Sequence, residues 1–335
     1  GGVIMTKVGV LGGGAWGTAL ANTIAKDTEK NVVVWAKEKK VVEEINQSKK
    51  NSLYFPNLIL EKKIYATNNL NEAIASIIFY STPAQHFRKI LFLQKKFITK
   101  DMKILICSKG IEEKTGNLLS DILEESNLDI DYGVLSGPSF ASEVGKGMPS
   151  ALVLAANSLS LADKISRQII FKQLRLYLSD DIIGVQVGGS IKNVYAIGCG
   201  IVDGINYGKS AVAALLTRAI VEMARFCEYV GGQKETIFGL SGLGDAILTC
   251  NSELSRNFIL GKSIGEGKNI NQMINENITV AEGYYTVKAI NKIAKENSLD
   301  MPILSAIYSI IYENFDPKSM ADKLMSRPIK REDFF

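Results

Sequence analysis

The chain has 335 residues, 46% of them hydrophobic and 22% charged, which indicates a globular protein of two domains. Its net charge of +4 is too small, and its basic residues too dispersed, to indicate a nucleic-acid-binding protein. Its longest apolar stretches fall short of the roughly 18 residues that cross a membrane, so we expect no membrane span.

A glycine turn follows the first apolar run, residues 8–11. Gly12, Gly14 and Gly17 stand at G-x-G-x-x-G spacing, and residues 18–26 continue with helical spacing. The first glycine of such a turn allows a tight bend, the second lets a pyrophosphate approach the backbone, and the third lets the helix pack on the sheet. The helix N-terminus then favours phosphate. The turn predicts a dinucleotide site; a glycine turn without a ligand is the alternative.

Strand and helix patterns alternate through the first half of the chain, which predicts a parallel sheet covered on both faces. We expect strands at 7–11, 32–36, 63–67, 77–81, 103–108, 132–136, 150–155 and 174–178, and helices at 16–27, 38–48, 85–97, 117–126 and 159–170. After about residue 185 only helical patterns remain, at 188–204, 210–230, 255–264, 285–297 and 303–314. The predicted fold is α/β, with a Rossmann-type NAD(P)-binding domain (5–187) followed by a mostly α-helical substrate-binding and catalytic domain (188–335).

The end of the second strand bears on the choice of dinucleotide. In this fold an acidic residue about 20 positions after the glycines usually binds the ribose 2′-hydroxyl. Here the strand runs into Lys37 without a carboxylate, and a cation tolerates a 2′-phosphate. This favours NADP or the use of both NAD and NADP; a lysine at the solvated start of a helix is the alternative.

Two later turns carry polar groups at the ends of strands. Lys109 follows the strand 103–108, and the carboxyl ends of such strands face the ligand cleft. Residues 136–141, which include Gly137, Ser139 and Ala141, form a strand-to-helix turn that offers N–H groups and a hydroxyl. A solvated lysine and a turn without function remain the alternatives.

Lys192 is the strongest candidate for acid–base chemistry. With Asn193 it lies in an apolar, small-residue helix, where burial would lower the pKa of its amine. The alternative is a lysine whose stem is buried and whose ammonium reaches water.

A second polar group follows residues 239–244, which we interpret as a glycine loop. It consists of Asp245, Thr249 and the run Ser255-Arg256-Asn257. An arginine among such groups suits bidentate phosphate binding. A capping aspartate and a surface arginine are the alternatives.

The cysteines and the single histidine limit the other chemistries. Cys107, Cys199, Cys227 and Cys250 lie apart in apolar segments, which predicts buried free thiols and a reducing, cytoplasmic setting. The only histidine, His86, falls in an expected helix, and we predict no metal site.

In combination, these motifs resemble those of the bacterial type of NAD(P)-dependent glycerol-3-phosphate dehydrogenase over nearly the whole chain. They comprise the glycine turn with Trp16, Ser-Lys-Gly at 108–110, Gly-Pro-Ser-Phe-Ala at 137–141, Lys-Asn at 192–193, Gly-Leu-Gly-Asp at 242–245, Ser-Arg-Asn at 255–257 and Val-Ala-Glu-Gly at 280–283.

The resemblance implies a role for each matching residue. Lys192 would be the proton donor and acceptor. The triose phosphate would be bound by Lys109, Gly137, Ser139, Asp245, Ser255, Arg256 and Asn257, to which we add Asn193 and Thr249. The dinucleotide would be contacted by Ala15, Trp16, Lys109, Ala141, Arg256, Val280 and Glu282. A cytoplasmic homodimer that supplies the backbone of glycerophospholipids is further implied.

Two departures and two alternatives remain. The family usually has serine where Ala15 stands, and arginine or histidine near the position of Lys37. Lactate- and malate-type dehydrogenases need a catalytic histidine. The only histidine, His86, precedes the second domain, which disfavours this class of enzyme. A β-hydroxyacid dehydrogenase of the same plan, or a dinucleotide sensor without catalysis, stays open, as do flux direction, feedback inhibition and the oligomer interface.

Overall fold

The computed structural model describes residues 7–28, 30–169, 171–270, 273, 281–329 and 331–332. The chain divides into two compact units. The first comprises Gly1–Ser108 and Leu119–Ile182, and the second comprises Lys109–Leu118 and Ile183–Phe335. The ten-residue segment 109–118 therefore belongs to the second unit although residues of the first unit flank it on both sides, which no local sequence pattern indicates.

The first unit is built on one eight-stranded sheet. Its strands are β1 (Val8–Leu11), β2 (Val32–Trp35), β3 (Ile64–Thr67), β4 (Ile77–Tyr80), β5 (Lys103–Ile106), β6 (Asp131–Ser136), β7 (Ser150–Ala155) and β8 (Leu174–Ser179). They lie in the order β3-β2-β1-β4-β5-β6-β7-β8. All eight expected strands are confirmed. β1, β4 and β5 are short apolar runs that are fully buried and give a clear signal, whereas most residues of the edge strand β8 are exposed or partly exposed. The order reverses at β1, between β2 and β4, where sheets of this kind bind ligands.

One strand pair corrects the prediction of a parallel sheet. β7 runs antiparallel to β6, with Val134 opposite Ala155 and Ser136 opposite Val153. The connection between them contains only the five-residue helix α5 (Ala141–Gly145). Such a helix is about 7 Å long, too short to carry the chain back along a six-residue strand of about 20 Å. The chain therefore re-enters the sheet from the edge at which β6 ended.

Five further helices of the first unit cover the sheet. They are α1 (Ala15–Asp27), α2 (Lys39–Ser48), α3 (Ala84–Gln94), α4 (Leu119–Glu125) and α6 (Leu159–Ser166). Each of them confirms an expected helix. The last residues of the expected helix 85–97 form a 3-10 turn, Lys95–Phe97, which follows α3. α6 ends at Ser166, before the expected residue 170, which lies outside the described residues. The expected helix 159–170 was therefore too long, because residues 167 and 168 already form a turn.

The second unit is helical, as predicted. Its helices are α7 (Ile182–Gly204), α8 (Lys209–Tyr229), α9 (Asp245–Cys250), α10 (Arg256–Gly265), α11 (Glu282–Glu296), α12 (Pro302–Tyr312) and α13 (Pro317–Met325). α7 begins six residues before the expected position 188, so the glycines at positions 184, 188 and 189 lie within the helix. α9 and α13 had no clear apolar period and were not expected.

Glycines let α7 and α10 approach at backbone distance. A Cβ on Gly200 would lie 2.1 Å from the carbonyl oxygen of Phe258, and one on Gly261 would lie 1.9 Å from that of Ile197. The small residues of α7 are therefore a packing surface, and α7 is buried along most of its length. Because α7 carries Lys192, this packing places the lysine in an apolar interior.

All four cysteines are buried and free, as predicted. His86 lies on α3. None of the described helices is long and apolar enough to span a membrane.

Candidate active site

The glycine turn of the first unit has three different environments. Gly12 has φ +124°, and a Cβ there would lie 2.9 Å from the carbonyl oxygen of Ser81. A Cβ on Gly17 would lie 1.9 Å from the carbonyl oxygen of Gly12. A Cβ on Gly14 would meet nothing within 4 Å. The backbone at Gly14 is therefore open, while the other two glycines are needed by the fold itself.

A residue that the sequence analysis missed supports this turn. Asn51 is fully buried, and its side-chain amide donates hydrogen bonds to the carbonyl oxygen of Gly13 (2.9 Å) and the hydroxyl of Thr18 (2.9 Å). It lies in the connection after α2, where no helical or strand pattern points to a partner 38 residues away. An asparagine in an otherwise patternless connection was the only signal.

The first turn of α1 follows directly. Gly14 is the N-cap, and Ala15 and Trp16 are the first two helical residues. The indole nitrogen of Trp16 is buried and donates to no described residue. A helix N-terminus without acidic residues, beside an open glycine and a buried free donor, can accept phosphate oxygens.

The end of β2 is held by Asn68, whose side-chain amide donates to the carbonyl oxygens of Ala36 (2.7 Å) and Lys37 (3.2 Å). Lys37 itself is exposed, and α2 begins two residues later. The chain therefore presents an exposed lysine shortly after the end of β2, where this fold usually has an acidic residue.

The turn after β6 carries the remaining first-unit candidates. Gly137 has φ +148°, the Ser139 hydroxyl donates to the carbonyl oxygen of Gly137 (3.1 Å), and Ala141 begins α5. The strand-to-helix turn expected here is present.

A lysine–aspartate cluster forms the chemical centre of the second unit. The Lys192 ammonium donates to Asp245 Oδ1 (2.7 Å) and to the Thr249 hydroxyl (2.5 Å), which itself donates to Asp245 Oδ1 (3.2 Å). The Lys109 ammonium donates to Asp245 Oδ2 (2.6 Å). One carboxylate thus holds two ammonium groups, each on its own oxygen.

Burial sets the acid strength of this cluster. The Lys192 side chain is 6% exposed and the Lys109 side chain 19%. Desolvation lowers the pKa of Lys192 from 10.5 to about 8; the negative charge of Asp245 raises it in part, and the positive charge of Lys109 lowers it. The alternative of a lysine that reaches water is therefore wrong for Lys192.

The segment before Asp245 is helical and not the glycine loop expected from the sequence. Leu240–Gly244 forms a π-helical turn that leads directly into α9. A Cβ on Gly188 of α7 would lie 2.7 Å from the carbonyl oxygen of Ser241. This close approach brings Asp245 against α7 within reach of Lys192, and π-helical turns are frequent at functional sites.

Amides link three helices beside the cluster. The Asn257 side chain donates to Asn193 Oδ1 (3.1 Å) and accepts from the backbone N–H of Gly283 (3.0 Å). The Ser255 hydroxyl caps α10 by accepting from the N–H of Phe258 (3.2 Å). Thus α7, α10 and α11 meet at these amides, and the Ser255 hydroxyl already has a structural partner.

Three further candidates lie at helix starts or outside the described residues. Arg256 is the first residue of α10; it is exposed and makes no ion pair with the described residues of the second unit. Glu282 is the first residue of α11 and is partly exposed. Val280 lies outside the described residues.

The second unit therefore offers a buried ammonium with a lowered pKa, which can exchange a proton near neutral pH. No group of three or more histidine, cysteine, aspartate or glutamate side chains among the described residues could hold a metal ion. The buried ammonium suits proton transfer to an oxygen.

The family models matched by the chain describe the two halves of one enzyme family. Residues 7–162 match the N-terminus, and residues 181–322 the C-terminus, of NAD-dependent glycerol-3-phosphate dehydrogenase.

Curated relatives and solved structures agree with these models. A glycerol-3-phosphate dehydrogenase [NAD(P)+] of Erythrobacter litoralis is 42% identical over 97% of this chain and 98% of the relative, and one from Listeria monocytogenes is 41% identical over the same shares. The glycerol-3-phosphate dehydrogenase structure from Coxiella burnetii matches with a TM-score of 0.91 and 32% identity, over 96% of this chain and 99% of that chain. The resemblance found in the sequence is thus confirmed, and the chain belongs to the NAD-dependent glycerol-3-phosphate dehydrogenase family.

Proposed function

We propose that the protein is an oxidoreductase that interconverts dihydroxyacetone phosphate and sn-glycerol 3-phosphate with NAD(P)H, and that its product enters glycerophospholipid synthesis. The observation that carries this proposal is the buried Lys192–Asp245–Lys109 cluster in a member of this family. A non-catalytic sensor would not need a buried lysine with a lowered pKa.

Lys192 acts as the acid in ketone reduction. Its ammonium donates a hydrogen bond to the ketone oxygen, stabilises the negative charge that develops there, and then transfers the proton. In the reverse direction the neutral amine removes the proton of the hydroxyl. Asp245 fixes the position of the amine, and Lys109 adds positive charge beside it.

The substrate is bound by groups from several turns and helices. The proposed binding residues are Lys109, Gly137, Ser139, Lys192, Asn193, Asp245, Thr249, Ser255, Arg256 and Asn257. Arg256 is exposed and makes no ion pair with the described residues of its own unit, so its guanidinium is available for the two-pronged contact that a phosphate favours.

The residues of the glycine turn fit a dinucleotide. The open backbone at Gly14 and the buried free donor of Trp16 support this assignment. The proposed cofactor-binding residues are Gly12, Gly14, Ala15, Trp16, Gly17, Lys37, Lys109, Ala141, Arg256, Val280 and Glu282. When bound, the reduced nicotinamide supplies hydride to the carbonyl carbon.

Substituting alanine for Gly14 is expected to weaken NADH binding more than about tenfold while the thermal midpoint stays close to that of the parent protein. A Cβ at Gly14 meets no protein atom, but it would occupy the space through which a pyrophosphate approaches. Gly17→Ala is the matched control: its Cβ would collide with the carbonyl oxygen of Gly12, so the fold itself should be destabilised. Fluorescence titration measures the NADH affinity of each variant, and thermal melts measure its stability. Unchanged NADH affinity in Gly14→Ala would place the dinucleotide elsewhere.

Reversing the charge of Lys37 is expected to shift the NADPH/NADH ratio of kcat/KM toward NADH by about five- to thirtyfold. The variant loses the attraction between Lys37 and the 2′-phosphate of NADPH and gains a repulsion between Glu and that phosphate. At an exposed site this changes the free energy of NADPH binding by roughly 1–2 kcal/mol in total. The measurement is kcat/KM with each cofactor for Lys37→Glu, with the exposed Lys62→Glu as a control of equal charge. An equal shift in both variants would remove Lys37 from the cofactor site.

The two directions of the reaction are expected to depend on pH in opposite ways around pH 8. Reduction requires the Lys192 ammonium, so its kcat/KM should be level below about pH 8 and fall tenfold per pH unit above. Oxidation requires the neutral amine, so its kcat/KM should rise up to about pH 8 and then level off. Steady-state rates over a pH series measure both limbs. Limbs of the same sign in both directions would exclude Lys192 as the titrating group.

The direct test of the proposed function is oxidation of NADH and NADPH with dihydroxyacetone phosphate. Turnover of this substrate supports the proposal. Turnover of a β-keto acid alone would identify a β-hydroxyacid dehydrogenase, and cofactor binding without turnover of either would identify a sensor.

Residues 5–187 act as the NAD(P)-binding domain and residues 188–335 as the substrate-binding and catalytic domain. The four buried free thiols support a cytoplasmic location. A homodimer is expected, and analytical ultracentrifugation would then give twice the mass of the chain.

A further inference from the structure

The outer face of α3 and its 3-10 extension has an unusual charge composition. Between Pro83 and Lys100 there are five arginine or lysine residues and no aspartate or glutamate, and the first acidic residue that follows is the exposed Asp101. The chain as a whole has nearly balanced charges, 39 basic and 35 acidic. Only one of the five cations, Arg88, lies in a described ion pair, with Glu125 of α4. The segment is therefore a local concentration of positive charge within a nearly neutral protein.

The same face exposes three large apolar side chains. Phe92 is 45% exposed, Leu93 53% and Phe97 37%. The opposite side of α3 is committed to the core, since Phe87 and Leu91 are fully buried. The exposed residues are therefore not an incompletely packed core but a second, outward apolar surface.

Cations and apolar rings alternate on this surface. The Lys95 ammonium lies 5.9 Å from the centre of the Phe92 ring, and the Lys96 ammonium 4.9 Å from that of Phe97. Lys89 and Lys100 are also exposed. Apolar side chains flanked by lysines are the pattern by which a surface helix inserts into the boundary of an anionic bilayer.

We propose that this surface, defined by Lys89, Phe92, Leu93, Lys95, Lys96, Phe97 and Lys100, docks the protein on a lipid bilayer that carries anionic head groups. The lysines face the head groups, and the three apolar side chains enter the boundary below them. The lysine side chains suit this arrangement because their stems can lie along apolar surface while the ammonium stays in the polar layer. This inference goes beyond the proposed function and does not involve any of the residues assigned to catalysis or cofactor binding.

The test is sedimentation of the full chain with vesicles at low salt. We expect binding to phosphatidylglycerol vesicles and not to phosphatidylcholine vesicles. Because each lysine near an anionic surface contributes about fivefold, Lys89→Glu/Lys96→Glu/Lys100→Glu should lower the partition coefficient more than about a hundredfold. Leu93→Ser should lower it about three- to tenfold.

Two controls match these variants. Lys292→Glu/Lys295→Glu/Lys318→Glu changes the net charge equally at exposed lysines of the second unit. Leu159→Ser removes a leucine of the same 53% exposure from the start of α6. Both should bind like the parent, and all four variants should keep the parent kcat, which shows that they are folded.

Three results would overturn the proposal. The first is equal binding to both kinds of vesicle or to neither. The second is an equal loss of binding in the charge control. The third is a change in the sedimenting mass of Leu93→Ser in the absence of lipid, which would show that a second copy of the chain covers this face.

Discussion

Replacement of Lys192 by methionine is expected to lower kcat for ketone reduction by about 10²- to 10⁴-fold while NADH still binds. Methionine has a similar length and suits the apolar surroundings of α7, but it has no proton to give. The ammonium of Lys192 donates to Asp245 and Thr249 inside the second unit. Its loss removes the acid but leaves the protein surface unchanged, because the side chain is buried. Single-turnover rates and fluorescence titration measure the two quantities.

Two comparisons make this prediction specific. Lys209→Met also removes a lysine that pairs with an aspartate, Asp203 at 2.6 Å, but the Lys209 side chain is 82% exposed, so kcat should be unchanged. Lys109→Met should raise KM and keep the pH limb, shifted above pH 8 because the positive charge of Lys109 lowers the pKa of Lys192. Lys192→Met should lose the limb. Retention of more than about a tenth of the parent kcat in Lys192→Met would contradict the assignment and make Lys109 the candidate.

Replacement of Asp245 by asparagine is expected to destabilise the protein by about 3–5 kcal/mol below neutral pH. Asp245 is 2% exposed and holds two ammonium groups, so its neutralisation leaves Lys192 and Lys109 facing each other without a counter-ion. Loss of the carboxylate charge should lower the pKa of Lys192 further below 8, which also moves the reduction limb of the pH profile to lower pH.

The size of this destabilisation should depend on pH, because the Asp245 carboxylate changes the pKa of Lys192. A lysine whose folded pKa lies below its unfolded pKa binds fewer protons when folded, so stability rises with pH between the two values. For the parent this rise begins near pH 8, and for Asp245→Asn it begins lower. The difference between the two proteins should therefore be largest below the lowered pKa of Lys192 in the variant, shrink as the pH rises from there to about 8, and stay constant above pH 8.

Urea unfolding at pH 6 and pH 9 measures this difference. Asp203→Asn is the control, because Asp203 pairs with the exposed Lys209 and should contribute less than about 1 kcal/mol at either pH. An equal loss of stability at both pH values in Asp245→Asn would show that Asp245 does not raise the pKa of Lys192.

The sequence determined the strands and the longer helices of the fold, but not the short helices α9 and α13 or the helical turn at 240–244. Short apolar runs bounded by turns predicted all eight strands, both the fully buried β1, β4 and β5 and the largely exposed edge strand β8. Helical spacing predicted the long helices of the second unit. The glycine turn was equally clear, because G-x-G-x-x-G spacing between a strand and a helix is typical of dinucleotide-binding folds. The motif combination also sufficed for the family.

Local patterns did not determine how segments combine. The antiparallel β7 was missed because strand direction depends on the length of the connection and not on the strand. The assignment of 109–118 to the second unit could not be read from the sequence, since contacts between distant segments leave no periodic signal. Asn51, which holds the glycine turn, was missed for the same reason.

The environment of Lys192 shows most clearly what the sequence left open and the tertiary structure decided. Its sequence context left a buried amine and a lysine that reaches water equally possible, because helical spacing fixes a face and not what covers that face. The tertiary structure decided between them: the glycine contacts of α7 with α10 and with residues 240–244 enclose the lysine, and Asp245 and Thr249 arrive from 53 and 57 residues away. A pKa of about 8 follows from this burial and this partner together, and neither is a property of the segment around residue 192 alone.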